Sequence, residues 1–242
     1  MAEEFTDTDV SSGAIADPRS VVETSIPKDI LDRYEVFSYR NAASVLSQSY
    51  TAEFTEICTA LRSLSITTTQ IRTPGGSKGP IAQYVDTLFS EDWVETRITA
   101  DLQVKLLAAK GSSILKEYTR SGFLDGHRID FVKGRVALDL EWNSKDQTYD
   151  RDLYAFSAFY DAGAIDAAVI ITRGSSLDNA FFRSLGKVLE KDGTEGKGEV
   201  YKKFGASTTW MGKLLYRLDA GRNGGCPVLA IGITPKCVSD LR

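Results

Sequence analysis

The chain has 242 residues, of which 42% are hydrophobic and 26% charged, and it carries a net charge of -4. That length and balance suit one large domain or two small ones around a sizeable core, and exclude a chain disordered over most of its length. A slightly acidic chain does not by itself point to nucleic acid, although a local basic surface is enough to hold a phosphate backbone.

In chain order, residues 1–25 open with MAEEFTDTDVSS and read as a loosely ordered acidic lead-in. They lack the basic-then-apolar order of a secretory signal, and no later run approaches the roughly eighteen apolar residues of a membrane span. The expectation is a cytoplasmic protein with no membrane partner. YEVFSY reads as a strand, and helical periodicity follows through Ala43, Leu46, Phe54, Ile57 and Leu61. RTPGGSKGP breaks regular structure, after which Ile81, Val85 and Leu88 share one face of a helix expected over 81–89. WVETRITADLQV is rich in aromatic and β-branched residues and predicts a strand, with a helix expected before Gly126 that carries Glu117. GHRIDFVKGRVALDLEW predicts a β-hairpin turning at VKGR, where Gly134 supplies the permissive backbone. Asp150 or Asp152 can cap the next helix, whose apolar residues Leu153, Phe156, Phe159 and Tyr160 end near Gly163. IDAAVIITRG predicts a strand buried on both faces, followed by a helix over 178–190 and a Gly- and Lys-rich loop, EGKGEVYKKFG. TTWMGKLLYRL predicts a further helix, GRNGG breaks it, and CPVLAIGIT returns to a buried strand. The whole is an α/β fold with a mixed central sheet flanked by helices.

The chemistry concentrates in VALDLEWNSK, residues 136–145. Alternate side chains of a strand point to opposite faces, so Asp139 and Glu141 share one face beside a greasy one. Asp130, on the first arm of the hairpin, can lie next to them. Converging carboxylates repel each other unless something positive stands between them. A hard divalent cation fits best, with Mg²⁺ the expected cofactor, because it takes oxygen ligands and completes its shell with water and phosphate oxygens. Such a site suits phosphodiester hydrolysis. The rest of the chain agrees, since three unpaired-looking cysteines (Cys58, Cys226, Cys237) and the single His127 leave little for zinc or histidine-based nucleophilic catalysis.

The order Asp130, then Asp139-Leu140-Glu141-Trp142-Asn143, then Tyr149-Asp150-Arg151-Asp152-Leu153 resembles the PD-(D/E)xK nuclease core. Specifically, it resembles the type II restriction endonucleases of the BglII/BstYI group. GGSKGPIAQYVDTLF looks like that group's Gly-Gly-x-Lys loop and helix, and FGASTTWMGKLLYRLDAGRNGGCPVLAIGI like its C-terminal region. The resemblance covers roughly residues 70–235. It implies a restriction-endonuclease-like domain over 26–242, with an N-terminal part at 26–110 and the catalytic core and DNA-recognition part at 111–242.

It also implies a homodimer that cuts double-stranded DNA at a short palindrome, with GATC at its centre, and a cognate methyltransferase in the same restriction-modification system. Asp130 and Asp139 match the family's two acidic ligands. Glu141 falls where the superfamily has Lys and this group has Gln, so the chain departs from the pattern with Asp-x-Glu. All three are expected to be catalytic and metal-binding, with Glu117 a further candidate ligand. For DNA, the expected contacts are Lys78, Asn143, Lys145, Lys202, Lys203, Ser207, Thr208 and Thr209, through bases or phosphates. The alternatives are a catalytically silent DNA-binding relative, suggested by the missing lysine, and a repair or recombination nuclease with the same core.

Overall fold

The computed structural model describes residues 15–75, 78–190 and 192–241. Two short helices, α1 (Arg19–Ser25) and α2 (Lys28–Arg33), lead into strand β1 (Tyr34–Tyr39). The lead-in expected to be loose is therefore helical from Arg19, and Val22 is buried in the core; residues 1–14 lie outside the described residues. Arg40 and Asn41 take the left-handed backbone that turns β1 into α3 (Ala42–Ser49), and the Asn41 N–H is held by the Asp17 carboxylate. The apolar spacing seen in the sequence then forms the buried faces of α3 and α4 (Thr51–Ser63). A capping box between Thr67 and Gln70 starts α5 (Thr68–Arg72), and Pro80 starts α6 (Pro80–Asp86). The latter ends three residues short of the expected 89.

Strand β2 (Val94–Leu107) and strand β3 (Ile114–Lys133) form a long antiparallel arm. Glu117 lies on this arm rather than on a helix. The fold explains the difference, because among the described residues nothing covers either face of the arm tip. Along the β3 side of the tip, residues 114–123 are all exposed, so the apolar residues around Glu117 show no helical or strand period against a core. Only at its base does β3 join the sheet, pairing through Phe131, Val132 and Lys133 with β4 (Val136–Glu141). Gly134, at a positive φ of 55°, makes that turn as the sequence predicts.

Helix α7 (Thr148–Asp161) follows and closes at Gly163, which has a φ of 70°. Gln147 precedes its first residue, Asp150 already lies in its first turn and Asp152 lies beyond it, so neither acid is the cap. Strand β5 (Ala167–Arg173) is buried along its whole length. Helix α8 (Asn179–Ser184) is capped by Asp178, whose carboxylate accepts the Phe181 N–H. Gly186 stops it, and the expected helix to 190 becomes β6 (Lys187–Leu189), paired with β7 (Glu195–Glu199) in a small hairpin. Helices α9 (Val200–Lys203) and α10 (Met211–Asp219) precede the last strand, β8 (Val228–Ile233).

The main sheet has the order β1-β8-β5-β4-β3-β2, parallel only across β8-β5-β4. This is the mixed sheet flanked by helices that the sequence predicts. Alternation sorts the strands into two apolar layers. Val136, Leu138 and Leu140 pack with the N-terminal helices, whereas Ala137 packs with Tyr149, Phe156 and Leu214 of α7 and α10. Asp139 and Glu141 share the face of Ala137, so both acids are aimed under α7.

Candidate active site

Asp130 of β3 and Asp139 and Glu141 of β4 meet at the end of the hairpin, as the sequence predicts. The Asp130 N–H donates to Asp139 Oδ1 at 2.7 Å. Asp139 and Glu141 are only 4% and 6% exposed, which is rare for acids without a compensating partner. Helix α7 brings a fourth carboxylate, Asp152, just 2% exposed. Its neighbour Arg151 donates to Asp152 Oδ1 from Nε at 3.0 Å and Nη2 at 2.9 Å, and Nη2 stands 3.6 Å from Glu141 Oε1. The Thr148 hydroxyl lies 3.0 Å from Glu141 Oε2, placed to donate to it or to the Lys145 carbonyl.

Asp152, Arg151 and Thr148 were missed as site residues, because an Asp at a helix start reads first as a cap. One signal was available. Tyr149, Asp152, Leu153 and Phe156 follow the helical spacing of a buried face, so a carboxylate sits inside an apolar stripe.

The electrostatics follow from burial and like charge. Burial pushes the Asp139 carboxyl well above the usual range, and the charges of Asp130 and Glu141 push it further, while the Asp130 N–H opposes. Burial likewise raises Asp152, with Glu141 and Asp139 adding to it and Arg151 opposing. Asp130 is raised too, first by desolvation and then by Glu141; its residue remains open to water at the cleft mouth, which screens the effect.

Among the described residues no group of three or more Asp, Glu, His or Cys side chains is arranged to hold an ion outright. The donors nevertheless fit a hard divalent cation in kind. They are all carboxylate oxygens, and among the described residues Asp139 Oδ2 and Asp152 Oδ2 are buried without a hydrogen-bond partner. An incomplete protein cage is what Mg²⁺ ordinarily meets, since water and phosphate fill its remaining positions.

Two clefts open on this cluster. One, of about 440 Å³, adds Lys78, Asn143, Thr148 and Lys203 to Asp130 and Glu141. The other, of about 450 Å³, adds Glu95, His127 and Arg128 to the four acids. Arg151 lines both.

The remaining expected contacts divide. Lys78 is exposed at the first cleft and paired with Asp86. Asn143 reaches the same cleft from a left-handed backbone (φ 58°), with its Oδ1 buried and without a partner among the described residues. Lys203 lines it as well, but its ammonium donates to the carbonyls of Ile71 and Thr73, and burial draws its pKa down to about 8. Lys202 lies in a separate hollow with Tyr201, Phe204 and Trp210. Lys145 is exposed and bridges to Thr208 through the backbone. Ser207 is exposed, and Thr208 accepts from Arg173. Two expectations are corrected. Thr209 is fully buried, with its hydroxyl joining the Glu141 carbonyl to the Ser144 N–H, so it is a joint beneath the site and offers no surface to DNA. Glu117 is out on the arm, held by Gln103 and Lys105, and is no part of the cluster.

With this geometry in view, comparison with known families is decisive. The family model described as restriction endonuclease BglII/BglIII matches residues 34–233, from the first strand to the last. The chain belongs to this family. It is a type II site-specific deoxyribonuclease, a sequence-specific endonuclease whose substrate is DNA. No curated protein matches the chain in a sequence search. Restriction endonucleases generally use a divalent metal, which agrees in kind with the all-oxygen donor set of this endonuclease. Among its described residues no helix is long and apolar enough to cross a membrane.

Proposed function

We propose that the endonuclease cuts double-stranded DNA at a short palindrome with GATC at its centre, using Mg²⁺ held by Asp130, Asp139 and Glu141. The observation that carries this reading is the buried Asp139, with one oxygen fixed by the Asp130 N–H and the other without a partner. When bound, Mg²⁺ supplies Lewis-acid polarisation of the scissile phosphate. The chain does the positioning. The β3-β4 ladder sets Asp130 against Asp139, while Thr148 and Arg151 flank the two oxygens of Glu141. Glu141 orients the attacking water and receives its proton in the role left open by the missing lysine.

In this reading residues 26–242 form one nuclease domain. Asn143 and Lys78 approach the DNA at the cleft that holds Asp130 and Glu141. Lys145, Lys202, Ser207 and Thr208 meet it further along, and Lys203 braces the cleft wall through the 71–73 carbonyls. A two-fold site calls for a two-fold protein, hence a homodimer, and cutting at GATC calls for a methyltransferase that protects host DNA. Three buried free thiols support a cytoplasmic setting.

The test is digestion of a long unmethylated DNA with and without Mg²⁺, followed by sequencing of the fragment ends. Discrete fragments that need Mg²⁺ and end at one GATC-centred palindrome are expected. Ends at another sequence would overturn the GATC assignment, and random ends would favour a repair-type nuclease.

A further inference from the structure

Arg151 stands where the carboxylates and both clefts meet. Its guanidinium has five N–H donors in a rigid planar fork. Nε and Nη2 donate to Oδ1 of Asp152 at 3.0 and 2.9 Å, while Nη1 has no hydrogen-bond partner among the described residues. The side chain stays 68% exposed although the carboxylates it touches, those of Asp152 and Glu141, are buried. One edge is therefore clamped from beneath, and the other opens into the cleft beside Asp130 and Glu141. The other cations of these clefts are engaged elsewhere: Lys78 with Asp86, Arg128 with Glu95 at 3.0 Å, and Lys203 with two carbonyls.

A clamped guanidinium with a free edge is suited to a phosphate oxygen, which it can meet in a directed way that a lysine ammonium cannot. We propose that Arg151 is a catalytic residue of this endonuclease. Its free edge contacts a non-bridging oxygen of the phosphodiester being cut, and Asp152 is the positioning residue that aims it. This rests on the reading that Asp130, Asp139 and Glu141 bound the hydrolytic cleft. The guanidinium forms no covalent bond and transfers no proton. It stabilises negative charge on the phosphoryl oxygens as the bond to the leaving oxygen breaks.

The test uses the full chain and the duplex identified by end sequencing, with single-turnover cutting in Mg²⁺ and binding in Ca²⁺. Arg151→Ala should slow cutting about 100-fold, the usual loss for one aimed donor, while binding weakens far less. Guanidinium ion added to the buffer should restore part of that rate. Arg151→Lys, which keeps a charge over Asp152, should still cut about tenfold more slowly because the fork is lost. In an Asp152→Asn background, removing Arg151 should slow cutting further. If Arg151→Ala cuts within threefold of the parent, or its effect vanishes beside Asp152→Asn, Arg151 merely neutralises Asp152 and the inference is overturned. Parent-like cutting by Arg151→Lys would likewise overturn the contact through the fork. An Asp130→Asn control separates the two levels, since undiminished cutting there would sink the carboxylate reading itself.

Discussion

The backbone N–H of Asp130 donates to Oδ1 of Asp139 at 2.7 Å, so one rung of the hairpin joins two acids of the candidate site. The same rung leaves Asp139 Oδ2 buried with no partner. Asp139→Asn would keep the acceptor for Asp130, remove a buried charge and add a donor facing Glu141 and Asp152. The variant should lose cleavage yet unfold at equal or higher urea than the parent in EDTA at pH 8. A gain on the order of 1–3 kcal/mol is expected from relief of the unpaired group. A clear loss of stability would show that Asp139 is a structural acid instead.

The raised acids set a pH dependence. Asp139 and Asp152 have folded pKa values above their unfolded ones, so the fold binds extra protons. Their contribution to stability is complete below the ordinary Asp value of about 3.9 and is lost as pH rises through the raised folded values. Without divalent ions, melting temperature should fall from pH 5 to pH 9 more steeply in the parent than in an Asp139→Asn/Asp152→Asn double variant. Ca²⁺ should flatten the parent's curve. At roughly 2–4 °C per kcal/mol for a chain of this size, the difference is within reach of calorimetry. Parallel curves for the two proteins would remove the electrostatic argument for a cation.

Arg173 at the end of β5 braces the site from behind. It donates to Thr209 O, Leu177 O and Thr208 Oγ1 and lies over the rings of Phe182 and Phe204. Thr209 in turn carries Glu141 O and Ser144 N. Arg173→Ala should destabilise by about 3 kcal/mol, as expected when a buried charged donor is deleted and its acceptors are left unpaired. Urea unfolding checks the value, and a loss under about 0.5 kcal/mol would contradict the bracing role.

Much of this was legible in the sequence. Unbroken apolar runs marked β5 and β8, and hairpin arithmetic around Gly134 brought Asp130 to Asp139. What stayed hidden depended on which neighbour a side chain meets. Asp152 looked like a cap because Asp commonly is one, and only the placement of α7 over β4 turns it toward Glu141. Ser207 to Thr209 were expected to contact DNA together, whereas the 145–208 bridge folds Thr209 inward. The arm misled for another reason. Without a core on either face, Glu117 and its neighbours follow no burial period.

The arm also makes a stability prediction. From Ile114 to Arg128, β3 is paired with β2 alone, and burial begins only at Ile129. A two-stranded ribbon of this kind contributes little by itself. Joining Asp101 to Ser121 through Asn-Gly should therefore shift the melting temperature by less than roughly 4 °C, the equivalent of about 1 kcal/mol. Loss of cooperative unfolding would mean that the arm is part of the core's support.

The most direct measurement compares cutting and binding by Asp130→Asn on the same DNA. Asp130 is exposed at the cleft and gives the fold its backbone N–H, which the variant keeps. Cleavage in Mg²⁺ should fall at least about 1,000-fold, in line with removal of a group acting at the transition state, while sequence-specific binding in Ca²⁺ persists. Cutting within tenfold of the parent would place the hydrolytic centre of this endonuclease somewhere other than Asp130, Asp139 and Glu141.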